Sequence, residues 1–168
     1  MSNTISIIIP VYNEKESLEE LYSEIRSATG SFSKREVLFI DDGSTDGTTE
    51  LLQTMAEEYP DVTLIQFFRN YGKAAALSEG FNHATGDYIV TLDADLQDDP
   101  SEIKNLVEKL DEGYDLISGW KRVRLDPWTK RWPSKFFNLV TRLMTGVKIH
   151  DFNCGLKIYR RAVVKAVE

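Results

Sequence analysis

The stretch Tyr88-Ile-Val-Thr-Leu-Asp-Ala-Asp-Leu-Gln-Asp-Asp-Pro100 runs from an apolar, β-branched segment straight into two carboxylates one residue apart. Valine, isoleucine and threonine are stiff at χ1 and fit a pleated surface, so Tyr88 to Leu92 predicts a buried strand. Residues i and i+2 of a strand point the same way. Asp93 and Asp95, at the end of this one, are therefore expected to converge on one hard divalent cation. A cation held there would neutralise a diphosphate.

Working outward, similar short runs recur at Ile5 to Ile9, Val37 to Ile40, Val62 to Phe67 and Leu116 to Ser118. Amphipathic helical patterns separate them. Glu14 to Ala28 places Leu18, Leu21, Tyr22 and Ile25 on one face, with Ser17 and Glu20 in capping-box spacing. Asp46 to Tyr59 does the same with Leu51, Leu52, Met55 and Tyr59, and Lys73 to Ala84 and Ser101 to Leu110 add two more helices. Strands this apolar have no wet side. The alternation therefore predicts an α/β fold, a Rossmann-like, mainly parallel sheet with helices on both faces. Sites in such sheets lie beyond the carboxyl ends of the strands.

Three polar clusters fall at those ends: Pro10-Val-Tyr-Asn-Glu14 after the first strand, Asp41-Asp-Gly-Ser-Thr-Asp46 after the second, and Asp93 with Asp95. Taken singly, Asp-Gly-Ser-Thr-Asp is a turn and cap sequence, in which Gly43 permits a tight turn and Thr45 or Asp46 caps the next helix. Taken together, acidic groups gathered at one edge repel one another, and a metal or a hydrogen-bonding ligand relieves that cost.

Composition is that of a soluble domain, with 168 residues, 42% hydrophobic and 28% charged, enough for one sizeable core. One cysteine, Cys154, excludes an internal disulfide framework. No apolar run approaches the roughly 20 residues of a membrane-spanning helix. The first ten residues have no signal-peptide pattern, so a cytoplasmic location is expected. The net charge of −7 conceals an asymmetry: residues 1 to 119 carry 8 Lys and Arg against 24 Asp and Glu, whereas residues 120 to 168 carry 12 against 3. A basic segment on an acidic body suits an anionic partner, either phosphate groups or an anionic membrane surface; a solvated basic face is the other reading.

Pro10-Val-Tyr-Asn-Glu14, Asp41-Asp-Gly-Ser-Thr-Asp46, Arg69-Asn-Tyr-Gly-Lys-Ala-Ala-Ala-Leu77 and Asp93-Ala-Asp-Leu-Gln97 together resemble family 2 glycosyltransferases of the GT-A fold. The likeness spans Ile5 to Arg161. Asp-Ala-Asp-Leu-Gln-Asp-Asp-Pro resembles in particular the polyprenyl-phosphate branch, the dolichol-phosphate mannosyltransferases and bactoprenol glucosyltransferases.

The resemblance implies a UDP- or GDP-linked sugar donor, with Pro10, Tyr12 and Glu14 around base and ribose and Asp42 accepting from a base N–H, a role that suits a carboxylate. It implies Mg2+ or Mn2+ held by Asp93, Asp95 and Gln97, Asp93 also facing the nucleotide and Asp95 serving catalysis. Gln97 is otherwise a surface side chain. Residues 69 to 72 would close over the nucleotide, and Lys73 reads either as a direct ligand or as a solvated lysine opening a helix.

For the acceptor, the resemblance implies a polyprenyl (dolichyl or undecaprenyl) phosphate, which presents an anionic oxygen at neutral pH because a phosphate monoester has a second pKa near ~6. The segment from Trp120 to Ser134 supplies Lys121, Arg122, Arg124, Lys130 and Arg131. Among these, the family pattern singles out the basic residue after Gly119 and the basic-to-Ser spacing that ends at Ser134. The chain departs from that pattern by reading Gly-Trp-Lys where many relatives read Gly-Ser-Arg. Asp151, in His150-Asp-Phe-Asn-Cys-Gly-Leu-Lys-Ile-Tyr159, resembles a residue near the reacting centre, with the roles of general base, metal-shell ligand, phosphate organiser or turn cap left open.

Trp120, Trp128 and Trp132 among basic residues suit a membrane surface on the cytoplasmic side, whereas Phe136, Val140, Leu143 and Met144 fit the core face of a helix. His150 and Cys154 read as structural. The sequence stops in a helical pattern, Ala162 to Glu168, with neither cap nor stop signal, and is expected to be the catalytic part of a longer, membrane-associated enzyme. Within it, residues 1 to 97 are expected to bind the nucleotide and residues 98 to 168 the acceptor.

Three competing readings are weaker. A transferase acting on a saccharide hydroxyl would need a base at Asp151. A receiver-like phosphate-binding module needs an acidic pair after the first strand and an Asp after the third, where this chain reads Pro10-Val-Tyr and Gln66-Phe-Phe. No nucleic-acid module is present, and the acidic body disfavours RNA.

Overall fold

The computed structural model describes residues 3–119 and 154–166. Its strands are β1 (Thr4–Val11), β2 (Lys34–Asp41), β3 (Val62–Gln66), β4 (Tyr88–Thr91), β5 (Leu116–Ser118) and β6 (Lys157–Arg160). The helices are α1 (Leu18–Ala28), α2 (Thr48–Glu58), α3 (Lys73–His83), α4 (Ile103–Asp111) and the short α5 (Arg161–Lys165), with a single 3-10 turn, Pro100–Glu102, leading into α4.

The strands form one sheet in the order β3-β2-β1-β4-β6-β5. β1 pairs in parallel with β2 and β4, and β2 with β3, whereas β6 runs antiparallel to both β4 and β5. The mainly parallel sheet expected from the sequence is present, and the reversed β6 is its departure. β6 begins at Lys157, within the stretch His150 to Tyr159, where the sequence predicted no strand.

Alternation along the strands builds two cores. Ile5, Ile7 and Ile9 of β1, with Val37, Phe39 and Val90, face α1, α2 and α4, while Ile8, Leu38, Ile40 and Ile89 face α3 and α5. With helices on both sides, neither face of the central strands reaches water. The close approach of α3 is set by Gly80, since a Cβ there would run into Cγ2 of Ile8.

Two local expectations fail for physical reasons. Ser17 forms no capping box: its Oγ donates to the Glu14 carbonyl at 2.9 Å, and α1 starts only at Leu18. A side chain this short has satisfied the nearest backbone oxygen instead of the helix N–H groups. Likewise β4 ends at Thr91, so Asp93 and Asp95 lie past the ladder, in a turn where Leu96 adopts φ 57°. Strand periodicity therefore does not govern where their side chains point.

Candidate active site

Because β1, β2 and β4 are parallel, their carboxyl ends share one edge, and cross-bonds tie the loops there together. Asp42 N–H donates to the Val11 carbonyl at 2.8 Å and Leu92 N–H to that of Ile8 at 3.1 Å. Asn13, at φ 57°, accepts from Thr45 N–H at 2.8 Å and donates its own N–H to Ser44 Oγ at 3.0 Å. Asp46, one residue before the Gly47 N-cap of α2, accepts from Thr48 N–H at 3.0 Å and from its hydroxyl at 2.6 Å; the hydroxyl bond is the main reason that its carboxyl lies below the usual range. Asp41, fully buried, accepts from Ser44 N–H and from the Thr49 hydroxyl and so serves the fold.

Over this edge opens a cleft of about 320 Å³. Pro10, Val11, Tyr12 and Glu14 form one side, Asp42, Asn70, Gly72 and Lys73 another, and Asp93, Ala94 and Asp95 a third. Seven residues named from the sequence, Pro10, Tyr12, Glu14, Asp42, Lys73, Asp93 and Asp95, thus share one concavity. Gln97 is not in its wall; its backbone N–H donates to Asp95 Oδ1 at 3.1 Å. Asp151, Lys121, Arg122, Lys130, Arg131 and Ser134 lie outside the described residues.

Asp42 holds the far wall in place. Its Oδ1 accepts from Tyr71 N–H at 2.7 Å and its Oδ2 from Gly72 N–H at 2.8 Å. The approach of that loop depends on Gly43, at φ 76°, because a Cβ there would strike the backbone of Arg69 and Asn70. A carboxylate has about four lone-pair sites, so Asp42 keeps acceptor capacity toward the cleft.

The acidic side is electrostatically loaded. Burial pushes the Glu14 carboxyl above its ordinary range, and the charges of Asp95 and then Asp46 push it further. Lys73 relieves part of the load with an ion pair to Asp93 Oδ1. Among the described residues no group of three or more His, Cys, Asp and Glu side chains forms a self-sufficient metal cage. Two carboxylates and no sulfur or imidazole fit a hard cation that completes its shell with substrate phosphates and water, as Mg2+ typically does.

A family pattern matches nearly the whole length: the description "Glycosyl transferase family 2" covers residues 6–167. The chain belongs to glycosyl transferase family 2. Family 2 relatives include the undecaprenyl-phosphate 4-deoxy-4-formamido-L-arabinose transferases of Shewanella sediminis, 46% identical over 97% of this chain and 50% of the relative. That of Pseudomonas aeruginosa is 43% identical over 97% of this chain and 49% of the relative. The chain thus spans about half the length of these relatives.

Among solved structures, a Pyrobaculum calidifontis mannosyltransferase in complex with GDP-Man and Mn2+ superposes with a TM-score of 0.71 at 27% identity, covering 99% of this chain and 47% of that one. Glucosyl-3-phosphoglycerate synthase of Mycobacterium tuberculosis, at 19% identity and a TM-score of 0.74 over 96% of this chain and 58% of its own, shares the fold. The sheet and its flanking helices are therefore those of the GT-A glycosyltransferases.

Sequence reasoning missed two residues beside this family 2 cleft. Thr91 Oγ1 donates to the Gly155 carbonyl at 2.7 Å, and the backbone of Gly155 packs against the carboxylate of Asp93. The one signal in the sequence was a glycine just ahead of β6. Among the described residues no helix is long and apolar enough to cross a membrane.

Proposed function

We propose that this chain is the catalytic domain of an inverting glycosyltransferase that moves a sugar from a nucleoside-diphosphate donor to a polyprenyl phosphate. The observation that carries the reading is the single cleft shared by Glu14, Asp42, Lys73, Asp93 and Asp95. The polyprenyl-phosphate acceptor draws support from the relatives of 43% to 46% identity, each named an undecaprenyl-phosphate sugar transferase.

Residues 1 to 97 bind the donor. Pro10 and Tyr12 pack on base and ribose, and Asp42 accepts from a base N–H while fixing the backbone of Tyr71 and Gly72. Asp93 and Asp95 would hold Mg2+ or Mn2+, which when bound would supply a Lewis acid for the negative charge that develops on the departing diphosphate. Lys73 moves from Asp93 onto the same phosphates.

Residues 98 to 168 bind the acceptor. Lys121, Arg122, Lys130, Arg131 and Ser134 position the lipid phosphate, whose oxygen is already anionic near neutral pH. A bond forms between that oxygen and the anomeric carbon as the bond from this carbon to the donor phosphate breaks on the opposite face, giving the inverted, β-linked product. No proton has to be removed from the acceptor, so Asp151 organises the phosphate site. The basic, tryptophan-containing segment 120 to 134 rests on the cytoplasmic face of the membrane.

The test is a thermal-shift titration of the full-length protein with UDP, GDP and their sugars, with and without Mn2+, followed by transfer of labelled sugar to undecaprenyl phosphate in detergent. A nucleotide at ~100 times its dissociation constant stabilises by about 2.7 kcal/mol. No shift with any nucleotide in the presence of Mn2+ would overturn the donor site. Label passing only to a saccharide hydroxyl would overturn the lipid acceptor.

A further inference from the structure

Three chain segments meet behind Asp93. β4 ends at Thr91, β6 begins at Lys157 with Thr91 and Lys157 in register, and β5 ends at Ser118. The turn 154–156 crosses between the ends of β4 and β5 and is pinned from both sides. The Thr91 hydroxyl donates to the Gly155 carbonyl at 2.7 Å in a buried bond, and Gly119 N–H donates to the Leu156 carbonyl at 2.8 Å.

Glycines stand at both contacts, but what they face differs. A Cβ on Gly155 would overlap the carboxyl carbon and both oxygens of Asp93. A Cβ on Gly119 would press on the Leu156 carbonyl oxygen at 3.0 Å and on Cys154 Sγ at 3.1 Å, away from the carboxylate. Asp93 also lines a second cavity of about 380 Å³, bounded by Thr91, Gly155 and Lys157, in addition to the nucleotide cleft. Its side chain therefore has two spaces within reach. The backbone of Gly155 is the surface against which the carboxylate rests.

We propose that Gly155 is a positioning residue for Asp93: its missing side chain and its carbonyl bond to Thr91 form a fixed backstop that keeps the Asp93 carboxylate turned into the nucleotide cleft. Asp93 lies past the last ladder pair of β4, so the sheet does not fix its side chain. Lys73 pairs with its Oδ1, and the contact from Gly155 supplies a second constraint on the carboxylate. The inference rests on the reading of Asp93 as a ligand in the nucleotide and metal site.

The test measures Mn2+ affinity of the full-length protein from the free-ion EPR signal, with UDP and, in a separate titration, with GDP. Gly155→Ala is expected to weaken Mn2+ binding by about 10- to 100-fold, the range for losing a group that orients a metal ligand. Gly119→Ala, which crowds the same turn from its other side, is expected to lower the melting temperature and leave Mn2+ affinity unchanged. Thr91→Val is expected to shift Mn2+ affinity in the same direction as Gly155→Ala, and Thr91→Ser to restore it, so the Thr91 pair decides the matter if Gly155→Ala does not fold. Unchanged affinity in Gly155→Ala, or an equal loss in Gly119→Ala, would overturn the inference while leaving the donor site standing. No Mn2+ binding by the unsubstituted protein with either nucleotide would remove both.

Discussion

The ammonium group of Lys73 rests on the carboxylate of Asp93. Lys73 is the first residue of α3, where the helix dipole disfavours a positive charge, and no acidic residue of the helix's own first turn offsets it. The partner that compensates comes from the end of β4. The cleft thus carries an internal cation at the carboxylate proposed to hold Mg2+ or Mn2+.

Replacing Lys73 by Gln should therefore have opposite effects on two ligands. Without nucleotide, Mn2+ should bind about 30-fold more tightly, the weight of one unit charge about 4 Å from a divalent ion in water, about 2 kcal/mol. With the lysine gone from the diphosphate, UDP or GDP should bind more weakly. Mn2+ titration followed by EPR, paired with calorimetric nucleotide titration, reads both signs, and a loss of affinity for both ligands would show that Lys73 only supports the fold.

Asp42 invites a sharper substitution. Asp42→Asn keeps the shape but turns one acceptor oxygen into an N–H2 donor, which cannot receive the N–H of Tyr71 and Gly72 at both positions. Amide hydrogen exchange at Tyr71 and Gly72 should speed up while exchange in β1 and β2 stays as it was, and nucleotide affinity should fall because one cleft wall has lost its anchor. The net loss should be of the order of one hydrogen bond to a charged group, about 1.5 to 3 kcal/mol.

How much of this was legible in the sequence depends on whether the cause was local. Ile5 to Ile9 and Val37 to Ile40 could be read because all of their residues except Ser6 and Leu38 are β-branched or aromatic and both faces are buried. The shared cleft could be read because parallel strands deliver their carboxyl ends to one edge, so Glu14, Asp42 and Asp93 meet without any knowledge of loop detail. β6 could not be placed. Lys157, Tyr159 and Arg160 of its four residues are only partly buried, and its pairing with β4 and β5 is settled by tertiary contact. The start of α1 was misread because Ser17 had two backbone partners within reach, and the sequence does not rank them. Gly155 was invisible for a similar reason, since its constraint comes from Asp93, in the turn after β4 and distant in sequence.

Away from the cleft, acid stability should hinge on Asp61. Burial raises its carboxyl, but Arg35, Tyr22 and the charge of Arg35 together outweigh burial and hold it below the ordinary aspartate value of 3.8. Arg35 Nε donates to Asp61 Oδ2 at 2.5 Å and Tyr22 hydroxyl to Asp61 Oδ1 at 2.8 Å; burial and then this bond push the phenol up to about 12. Because the folded carboxyl is the stronger acid, the unfolded chain binds more protons, and stability falls as pH drops from about 3.8 through the lower folded value. At neutral pH the contribution is complete, so Asp61→Asn should cost about 1 to 2 kcal/mol, less than a fully buried pair because the Arg35 and Asp61 side chains are 18% and 19% exposed. Urea unfolding of both proteins at pH 7 and at successively lower pH checks this: the two stabilities should converge as the carboxyl protonates, and a gap that persists unchanged into strong acid would mean that Asp61 acts through packing and not through its charge.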